Sequence, residues 1–378
     1  MASRTPIRVG FVGLSSTGWA GIALAPPLLT TPLNEKYMLT AISTSRASSA
    51  EETAKTYTDK SGRPVKAFHG STTGIASDPD VDLVAVAVKA PDHKSALLPV
   101  LEQKKDVFVE WPLGKNLGET IELAEMARRA GVRTMIGMQA WQNPVVLHVR
   151  KWIAEGKIGR VLAATYMGTK PAEMPYFSPN FLERDSYTLD PDNGATMLSI
   201  VIGHHLSAIT RMVGSFSSLS ATTGKWLEAS SVIGGSDQTV KHTFPDHFSV
   251  TGSLLAHEGA VFTGVWRGGV PVTGANNAHR PNLLFIIDGE KGCIRIEGLD
   301  MPSGQMHLTT PTKVYLNDQE ISLEADAPYV GNTGRNWAKF AEGAQSEYPS
   351  WDDAVVVHKH VDAIWRSSQE GKRVYLDL

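Results

Sequence analysis

The chain lacks three features that would each have assigned it to a class of protein. It has one cysteine in 378 residues, Cys293, so no disulfide can form within the chain, and a reducing compartment is favoured. Its formal charge is only -3 and no long basic run is present, which argues against extended contact with nucleic acid. No stretch approaches the ~20 apolar residues of a membrane span, and residues 1–7 lack a secretion-signal pattern. We therefore expect a cytoplasmic protein with no nucleic-acid partner and no membrane partner.

Metal-binding patterns are also missing, whereas the composition is that of an ordinary globular protein. There is no cysteine cluster and no His-x-x-x-His pair, and His358 and His360 would face different sides of a helix, so no metal site is predicted. Hydrophobic residues make up 42% of the chain and charged residues 20%. At roughly 150 residues per domain, this length predicts two domains.

The first part of the chain alternates short apolar segments with segments of helical spacing. Asn116 and Glu119 form a capping box at the start of one such helix. Strands alternating with helices predict βαβ units and a doubly wound parallel sheet of the Rossmann type, which we assign to residues 1–142. The predicted strands are Ile7–Val12, Tyr37–Ser43, Leu83–Val88, Asp106–Val109 and Thr134–Met138.

The pattern changes near residue 145, where strand-like segments with glycine and Asp-Gly punctuation become frequent. Residues 143–378 are therefore predicted to form an α+β domain with a large, mostly antiparallel sheet. Residues 351–371 have helical spacing and form a closing helix that could pack back on the first domain. The predicted strands are Val161–Met167, Phe248–Leu255, Ala260–Trp266, Leu283–Asp288 and Cys293–Glu297.

The turn after the first predicted strand has features of a diphosphate-binding loop. Such a loop needs glycine where φ is positive or where a Cβ would touch the ligand, with the N-terminus of a helix behind it. A serine replaces the usual middle glycine, and because glycine-rich turns are also common as plain structure, the βαβ context carries the prediction. The residues predicted to bind the dinucleotide here are Gly13, Ser15, Ser16, Thr17, Gly18 and Trp19.

The second predicted strand ends at Ser43-Thr-Ser-Arg46, where an NAD site usually places an acidic residue. No acid is present. Ser43, Ser45 and Arg46 suit a 2′-phosphate, because a guanidinium is permanently charged and can bind phosphate with two hydrogen bonds. NADP is therefore the predicted coenzyme and NAD stays open. The alternative is that Arg46 is only a solvated surface charge.

Four segments resemble the glucose–fructose oxidoreductase and inositol dehydrogenase family. Val109-Glu-Trp-Pro-Leu113 is similar to the family's Glu-Lys-Pro signature, and Ala87–His93 to its nicotinamide-side loop. Gly156–Gly159 and Asp353–Val374 resemble the first turn and the closing helix and strand of its second domain. The resemblance implies a homodimer or higher oligomer that forms through the second-domain sheet. It also implies coenzyme contacts from Val88, Lys89, His93, Glu110, Trp111 and Pro112.

Within this family, the chain resembles a subgroup of galactose-pathway repressors of yeasts, which are non-catalytic relatives that bind NAD(P). The matching segments are Pro6–Leu14, Gly18-Trp-Ala, Ile202-Gly-His204 and Pro245-Asp-His247 through Trp266-Arg-Gly-Gly269. This resemblance implies a fungal source.

The acid–base residues of catalytic family members are only partly retained. The signature lysine corresponds to Trp111, and the aspartate four residues before the histidine corresponds to Ile200, while the histidine itself corresponds to His204. Tryptophan cannot titrate, whereas an imidazole can transfer a proton near neutral pH. His204 is thus the predicted proton donor and Trp111 the wall of an apolar or aromatic pocket. The alternates to His204 as donor are Tyr166, Tyr176 and Tyr187.

Two functions follow from these residues. The first is an NADP(H)-dependent reductase of a polarised C=N, C=O or activated C=C bond in a small apolar or heterocyclic metabolite. The second is a non-catalytic regulator whose cleft binds a partner peptide and whose dinucleotide is an effector. The missing lysine and aspartate favour the regulator, whereas the compact length, without a long insertion or a basic import run, favours the enzyme, which we prefer.

Overall fold

The chain folds into two compact units. The computed structural model describes residues 5–15, 18–174, 177–233, 238–272, 280–299, 313–323 and 331–378. The first unit comprises Met1–Gln142 together with Asp326–Val355, and the second comprises Asn143–Ala325 together with Val356–Leu378.

The helices and strands are numbered in chain order. The strands are β1 (Ile7–Val12), β2 (Tyr37–Thr44), β3 (Lys66–His69), β4 (Leu83–Val86), β5 (Asp106–Val109), β6 (Thr134–Ile136), β7 (Val161–Pro171), β8 (Asn180–Leu182), β9 (Phe216–Gly224), β10 (Ala229–Ile233), β11 (Thr239–Lys241), β12 (His247–Leu254), β13 (Val261–Val270), β14 (Leu283–Gly289), β15 (Gly292–Gly298), β16 (Lys313–Leu316), β17 (Gln319–Glu320) and β18 (Val374–Tyr375). The α-helices are α1 (Ala25–Leu28), α2 (Ala47–Ser61), α3 (Thr73–Ala76), α4 (His93–Glu102), α5 (Leu117–Ala130), α6 (Pro144–Ala154), α7 (Gly203–Val213), α8 (Gly331–Glu342) and α9 (Trp351–Glu370).

The first unit contains a six-stranded parallel sheet in the order β3-β2-β1-β4-β5-β6. All four residues of β4 are buried, as expected of a parallel strand covered on both faces. The strand order reverses between β1 and β4, and a doubly wound sheet binds ligands at the carboxyl ends of the strands at such a point. The predicted Rossmann-type sheet is confirmed.

The helix expected behind the glycine turn is a π-helix, Ala20–Leu24, followed by the short α1. Ala25 N–H donates to Ala20 O, which is an i to i+5 bond. The cause is local, because Pro26 and Pro27 carry no N–H and cannot donate to the carbonyls four residues before them.

Residues 331–342 correct the predicted domain assignment, which placed all of 143–378 in the second domain. They form α8 in the first unit. The reason is burial: Trp337 and Phe340 are completely buried, and the Tyr37 hydroxyl donates to Trp337 O at 2.7 Å. The predicted closing helix is α9, and the boundary between the units falls within it, after Val355.

The second unit contains a nine-stranded sheet in the order β17-β16-β15-β14-β7-β13-β12-β9-β18, in which only β7 and β13 pair in parallel. One face carries Tyr166 and Trp266 and packs against α7 through His205. The opposite face exposes Thr165, Thr263 and similar residues. The predicted mostly antiparallel sheet is confirmed. Among the described residues, no helix has the length and apolar character needed to cross a membrane.

Replacing Trp337 tests whether α8 belongs to the first unit. Trp337 lies 4.9 Å from Phe108 and 5.5 Å from Tyr37, measured between ring centroids. We expect Trp337→Ala to cost about 3–5 kcal/mol of the first unit's unfolding free energy, because a large buried ring leaves a cavity. Denaturant unfolding followed by circular dichroism measures it. The control, Trp226→Ala, removes a ring that is 57% exposed, and an equal loss in both variants would contradict the assignment.

Candidate functional site

The carboxyl ends of three strands of the first unit are joined at Gly13. Its φ is +85°, and its N–H donates to Ser43 O at 2.9 Å. A Cβ at this position would lie 2.7 Å from Ala87 O and 3.0 Å from Val88 Cγ1, so only glycine fits. The backbone of the turn is therefore held close to the sheet and is left without a side chain at the point where a diphosphate would approach.

Gly18 closes the same turn in front of the π-helix. Its N–H donates to Ser15 Oγ at 2.9 Å, and a Cβ on Gly18 would lie 2.8 Å from that oxygen. The turn therefore has glycine at both ends and a helix N-terminus behind it, which is the geometry that binds anionic groups. Ser16 and Thr17, also predicted to bind the dinucleotide, lie outside the described residues.

The end of β2 has no carboxylate in the place where the sequence predicted a 2′-phosphate. Ser43 is buried and uses its carbonyl for Gly13, whereas Ser45 and Arg46 are exposed. Arg46 is the extended residue before α2, whose first turn contains no acid. The guanidinium and the positive end of α2 are thus close in the chain, and both favour an anion.

His93 ties two of the loops that the resemblance implicated in coenzyme binding. Its Nδ1 lies 2.8 Å from Pro112 O and its Nε2 lies 3.1 Å from Val88 O. The ring is buried, and burial lowers the pKa of His93 despite these carbonyls. The imidazole thus contacts both the loop after β4 and the loop after β5. Lys89, next to Val88 in the chain, is exposed.

Glu110 is a buried carboxyl at the end of β5. Gln139 Nε2 donates to its Oε2 at 3.1 Å, and the Trp19 side chain also hydrogen-bonds to the carboxyl. Burial, opposed by these bonds, raises the pKa of Glu110 to about 8. Oε1 has no hydrogen-bond partner among the described residues. A carboxyl that is mostly protonated at neutral pH is therefore connected to the glycine turn through Trp19, and one of its oxygens is buried without a hydrogen bond from the described residues.

Sequence reasoning missed two residues around this carboxyl. Gln139 donates to it, and a Cβ on Gly137 would lie 2.6 Å from Glu110 Oε2. The only signal was their position directly after a predicted strand. Trp111, next to Glu110, is 5% exposed, and no part of its indole can titrate.

The second unit carries the remaining predicted residues. His204 and His205 open α7, and His205 Nδ1 accepts a 3.0 Å hydrogen bond from Trp266 Nε1. Burial lowers the pKa of His204 to about 3 and of His205 to about 4, so both rings are neutral at pH 7. Tyr166 is buried and its ring lies 5.5 Å from that of His205. The structure therefore brings Tyr166 and His205 together.

The other two tyrosines differ in what can be said of them. Tyr187 is half-buried in a 3-10 segment, Glu183–Leu189, and its carbonyl accepts from Asn193 Nδ2 at 2.9 Å. Tyr176 lies outside the described residues. Their roles as alternative proton donors stay predictions. Within the described part of the chain, no group of three or more metal-binding side chains is found.

A π-helix before His204 changes the spacing on which the comparison with Ile200 rested. Met197–Ile202 is a π-helix, in which Gly203 N–H reaches Leu198 O, five residues earlier. With that spacing the residue one turn before His204 is Ser199 and not Ile200. Ser199 is buried and its hydroxyl donates to Gly194 O at 2.6 Å. The Ser199 hydroxyl also accepts from Thr196 N–H at 2.8 Å and so belongs to the cap of this π-helix.

Glu110→Gln tests the buried carboxyl through the pH dependence of stability. The folded pKa is raised above the unfolded value of about 4.3, so the wild type loses stability as pH rises from that value through about 8. The amide removes this loss, and we expect the melting temperature of the variant, relative to wild type, to rise between pH 5 and pH 9. Calorimetry measures it. Glu125→Gln on the exposed face of α5 is the control, and parallel pH curves for wild type and E110Q would refute the buried protonated carboxyl.

Comparison with known proteins agrees with this geometry. A model described as the oxidoreductase family with an NAD-binding Rossmann fold matches residues 7–138, and a model of the C-terminal domain of Gal80p matches residues 144–298. Dehydrogenase aclE of Aspergillus oryzae is 33% identical over 97% of both chains. The galactose/lactose metabolism regulatory protein GAL80 of Saccharomyces cerevisiae is 26% identical over 78% of this chain and 67% of its own length.

Solved structures share the fold of the whole chain. A super-repressor mutant of Gal80p from Saccharomyces cerevisiae has a TM-score of 0.85 at 22% identity, covering 98% of each chain. A levoglucosan dehydrogenase in complex with NADH and levoglucosan has a TM-score of 0.75 at 20% identity, covering 99% of this chain and 100% of that one. The near full-length similarity to a dehydrogenase, with the Rossmann model and the glycine turn, shows that the chain belongs to the glucose–fructose oxidoreductase and inositol dehydrogenase family of NAD-binding oxidoreductases.

Proposed function

We propose that the protein is an NADP(H)-dependent reductase that acts on a polarised C=N, C=O or activated C=C bond of a small apolar or heterocyclic metabolite. The observation that carries the proposal is the glycine turn at Gly13, which a Cβ would fill, followed along the sheet by an acid-free β2 end with Arg46. The single cysteine supports a reducing compartment such as the cytosol.

The residues of the first unit fit such a coenzyme. The amides of the turn and the helix N-terminus behind it suit a diphosphate, and Arg46 at the start of α2 suits a 2′-phosphate. Glu110, mostly protonated at pH 7, can donate or accept a hydrogen bond through Oε1. When bound, the reduced nicotinamide supplies the hydride of the reaction.

The predicted site residues take different roles under this proposal. Trp111 is buried and provides an aromatic wall without proton chemistry. His204, whose pKa is about 3, is neutral and orients the substrate through a ring nitrogen, because an imidazolium is not populated at neutral pH. A reductase would therefore need a proton source other than the His204 imidazole.

A regulator of the Gal80p kind is the second candidate, and Trp111 favours it. A buried, non-titrating indole follows Glu110 where catalytic family members have a lysine, and loss of catalysis would leave dinucleotide binding intact. Under this alternative the dinucleotide is an effector. Turnover of the coenzyme separates the two functions.

We also propose a homodimer formed through the exposed face of the nine-stranded sheet. The centre of that face is uncharged and rich in β-branched residues, including Val261, Thr263 and Val265 on β13. Apolar and β-branched faces of this kind are covered in stable assemblies. Sedimentation equilibrium should give twice the chain mass of 40.9 kDa, and Val265→Lys should halve it. A monomeric wild type would contradict the dimer.

Coenzyme titration tests the proposed function. We expect NADPH to quench tryptophan emission at lower concentrations than NADH, and Arg46→Ala to weaken NADPH binding by about 10-fold or more while leaving NADH nearly unchanged, since a charge-assisted contact to phosphate contributes about 1.5–3 kcal/mol. Arg129→Ala, a charge removed at the exposed end of α5, is the control.

The outcomes of the titration and of a turnover assay are distinct. Equal affinity for the two coenzymes would remove the NADP assignment, and no quenching by either would remove both candidate functions. Oxidation of NADPH with any member of a panel of small ketones, imines and enones supports the reductase. Tight binding without turnover across the panel supports the regulator.

A further inference from the structure

His69 is an exposed histidine at the carboxyl end of β3, the edge strand next to β2. In the parallel pairing of these two strands, His69 lies opposite Thr44, the last residue of β2. The carboxyl ends of parallel strands are where sheets of this kind bind ligands. His69 therefore lies at the ligand-binding edge of the first unit, one strand beyond the segment that contains Arg46.

Two hydrogen bonds fix the backbone around His69. Gly70 N–H donates to Thr44 O at 2.9 Å, and the φ of Gly70 is +75°. The Thr44 hydroxyl donates to Arg46 O at 2.9 Å. Thr44 is thus bonded both to the turn after β3 and to the residue that precedes α2, and it keeps the backbones of His69 and Arg46 close to each other.

The side chains of His69 and Thr44 lie on the same face of the sheet, because residues paired across neighbouring strands share a face. That face is covered by α2, since Thr44 Oγ1 lies 2.6 Å from Ser49 Oγ. Arg46 precedes the first turn of the same helix. Neighbouring strands lie about 4.8 Å apart, so the imidazole and the guanidinium can reach one small group from either side.

Both of these side chains are accessible to a ligand. His69 and Arg46 are exposed, and neither the imidazole nor the guanidinium forms a hydrogen bond or an ion pair within the described residues. A Cβ added to Gly70 would meet no heavy atom within 4 Å, so there is open space beside His69. The first turn of α2 contains no acid. The edge thus offers hydrogen-bond donors to an anion, with no carboxylate in that turn to compete for them.

We propose that His69 is a second specificity-determining residue for the 2′-phosphate of NADP(H), acting beside Arg46, an inference that rests on the proposed NADP preference. A coenzyme whose diphosphate lies at Gly13, after β1, has its adenosine ribose at the end of β2. The strand order places β3 on the side of β2 opposite β1, so a 2′-phosphate that points away from the diphosphate reaches His69. The imidazole N–H and the guanidinium both donate to this phosphate.

Two donors from neighbouring strands explain how the chain would discriminate between coenzymes without relying on Arg46 alone. NADH presents a ribose hydroxyl at this place and NADPH a phosphate, and hydrogen bonds to a charged acceptor are roughly twice as strong as neutral ones. Arg46→Ala should therefore keep part of the preference for NADPH. The double variant R46A/H69A should bind the two coenzymes equally.

Isothermal titration calorimetry with the coenzymes and two nucleotide fragments tests the proposal without turnover. Adenosine 2′,5′-bisphosphate carries the 2′-phosphate, whereas AMP does not. We expect His69→Ala to weaken binding of NADPH and of the bisphosphate by about 10-fold, because a charge-assisted hydrogen bond is lost, and to leave NADH and AMP nearly unchanged. His69→Arg keeps a donor and should retain the preference. The melting temperature of H69A should match that of wild type, since His69 has no side-chain partner among the described residues.

The control is Lys55→Ala, which removes an exposed charge farther along α2 and should not change the affinity for NADPH. Unchanged NADPH affinity in H69A, with the loss in R46A intact, overturns the role of His69 alone. Equal losses for NADPH and NADH in H69A also overturn it, because the imidazole would then contact a part that both coenzymes share. A wild type that binds NADPH and NADH equally removes the NADP preference itself.

Discussion

The architecture of the first unit depends on one close backbone approach, between Gly13 and the strands on either side of it. Gly13 N–H is bonded to Ser43 O, and Ala87 O lies where a Cβ would be. Any side chain there would push β1 away from β2 or β4, and the turn that follows would lose its position. The positions of the candidate coenzyme-binding turn, of the loops contacted by His93 and of the buried Glu110 therefore depend on this contact.

Prediction from sequence succeeded where local pattern and burial agree. The aliphatic β4 is found as expected. Half of the predicted capping box of α5 forms, since Asn116 Oδ1 accepts from Glu119 N–H at 2.9 Å, whereas Glu119 Oε1 accepts from Lys115 N–H at 3.4 Å. Prediction failed where residues distant in the chain determine the structure. β3 is an exposed edge strand with no apolar alternation. α8 begins at one glycine and contains a second, Gly334, so its stability comes from burying Trp337 against Tyr37. Neither feature leaves a local signal.

The candidate site was predictable in its motifs but not in its proton chemistry. The need for glycine at position 13 could be predicted because it follows from backbone conformation, and the proposed role of Arg46 follows from its fixed charge. The protonation states of His204 and Glu110 depend on burial by residues distant in the chain, which lowers the pKa of His204 to about 3 and raises that of Glu110 to about 8. The π-helix before His204 could not be predicted either, because the extra residue in its turn has no distinctive sequence.

Two carbonyl oxygens face the His93 ring, which has fewer N–H groups than the two oxygens can accept from. A buried neutral imidazole carries one N–H, yet Pro112 O and Val88 O both lie within bonding distance of its nitrogens. Whichever tautomer forms, one oxygen faces a lone pair and repels it. One of the two loops is therefore held by a hydrogen bond from the His93 ring and the other is not, so this side chain fixes the loops after β4 and β5 unequally.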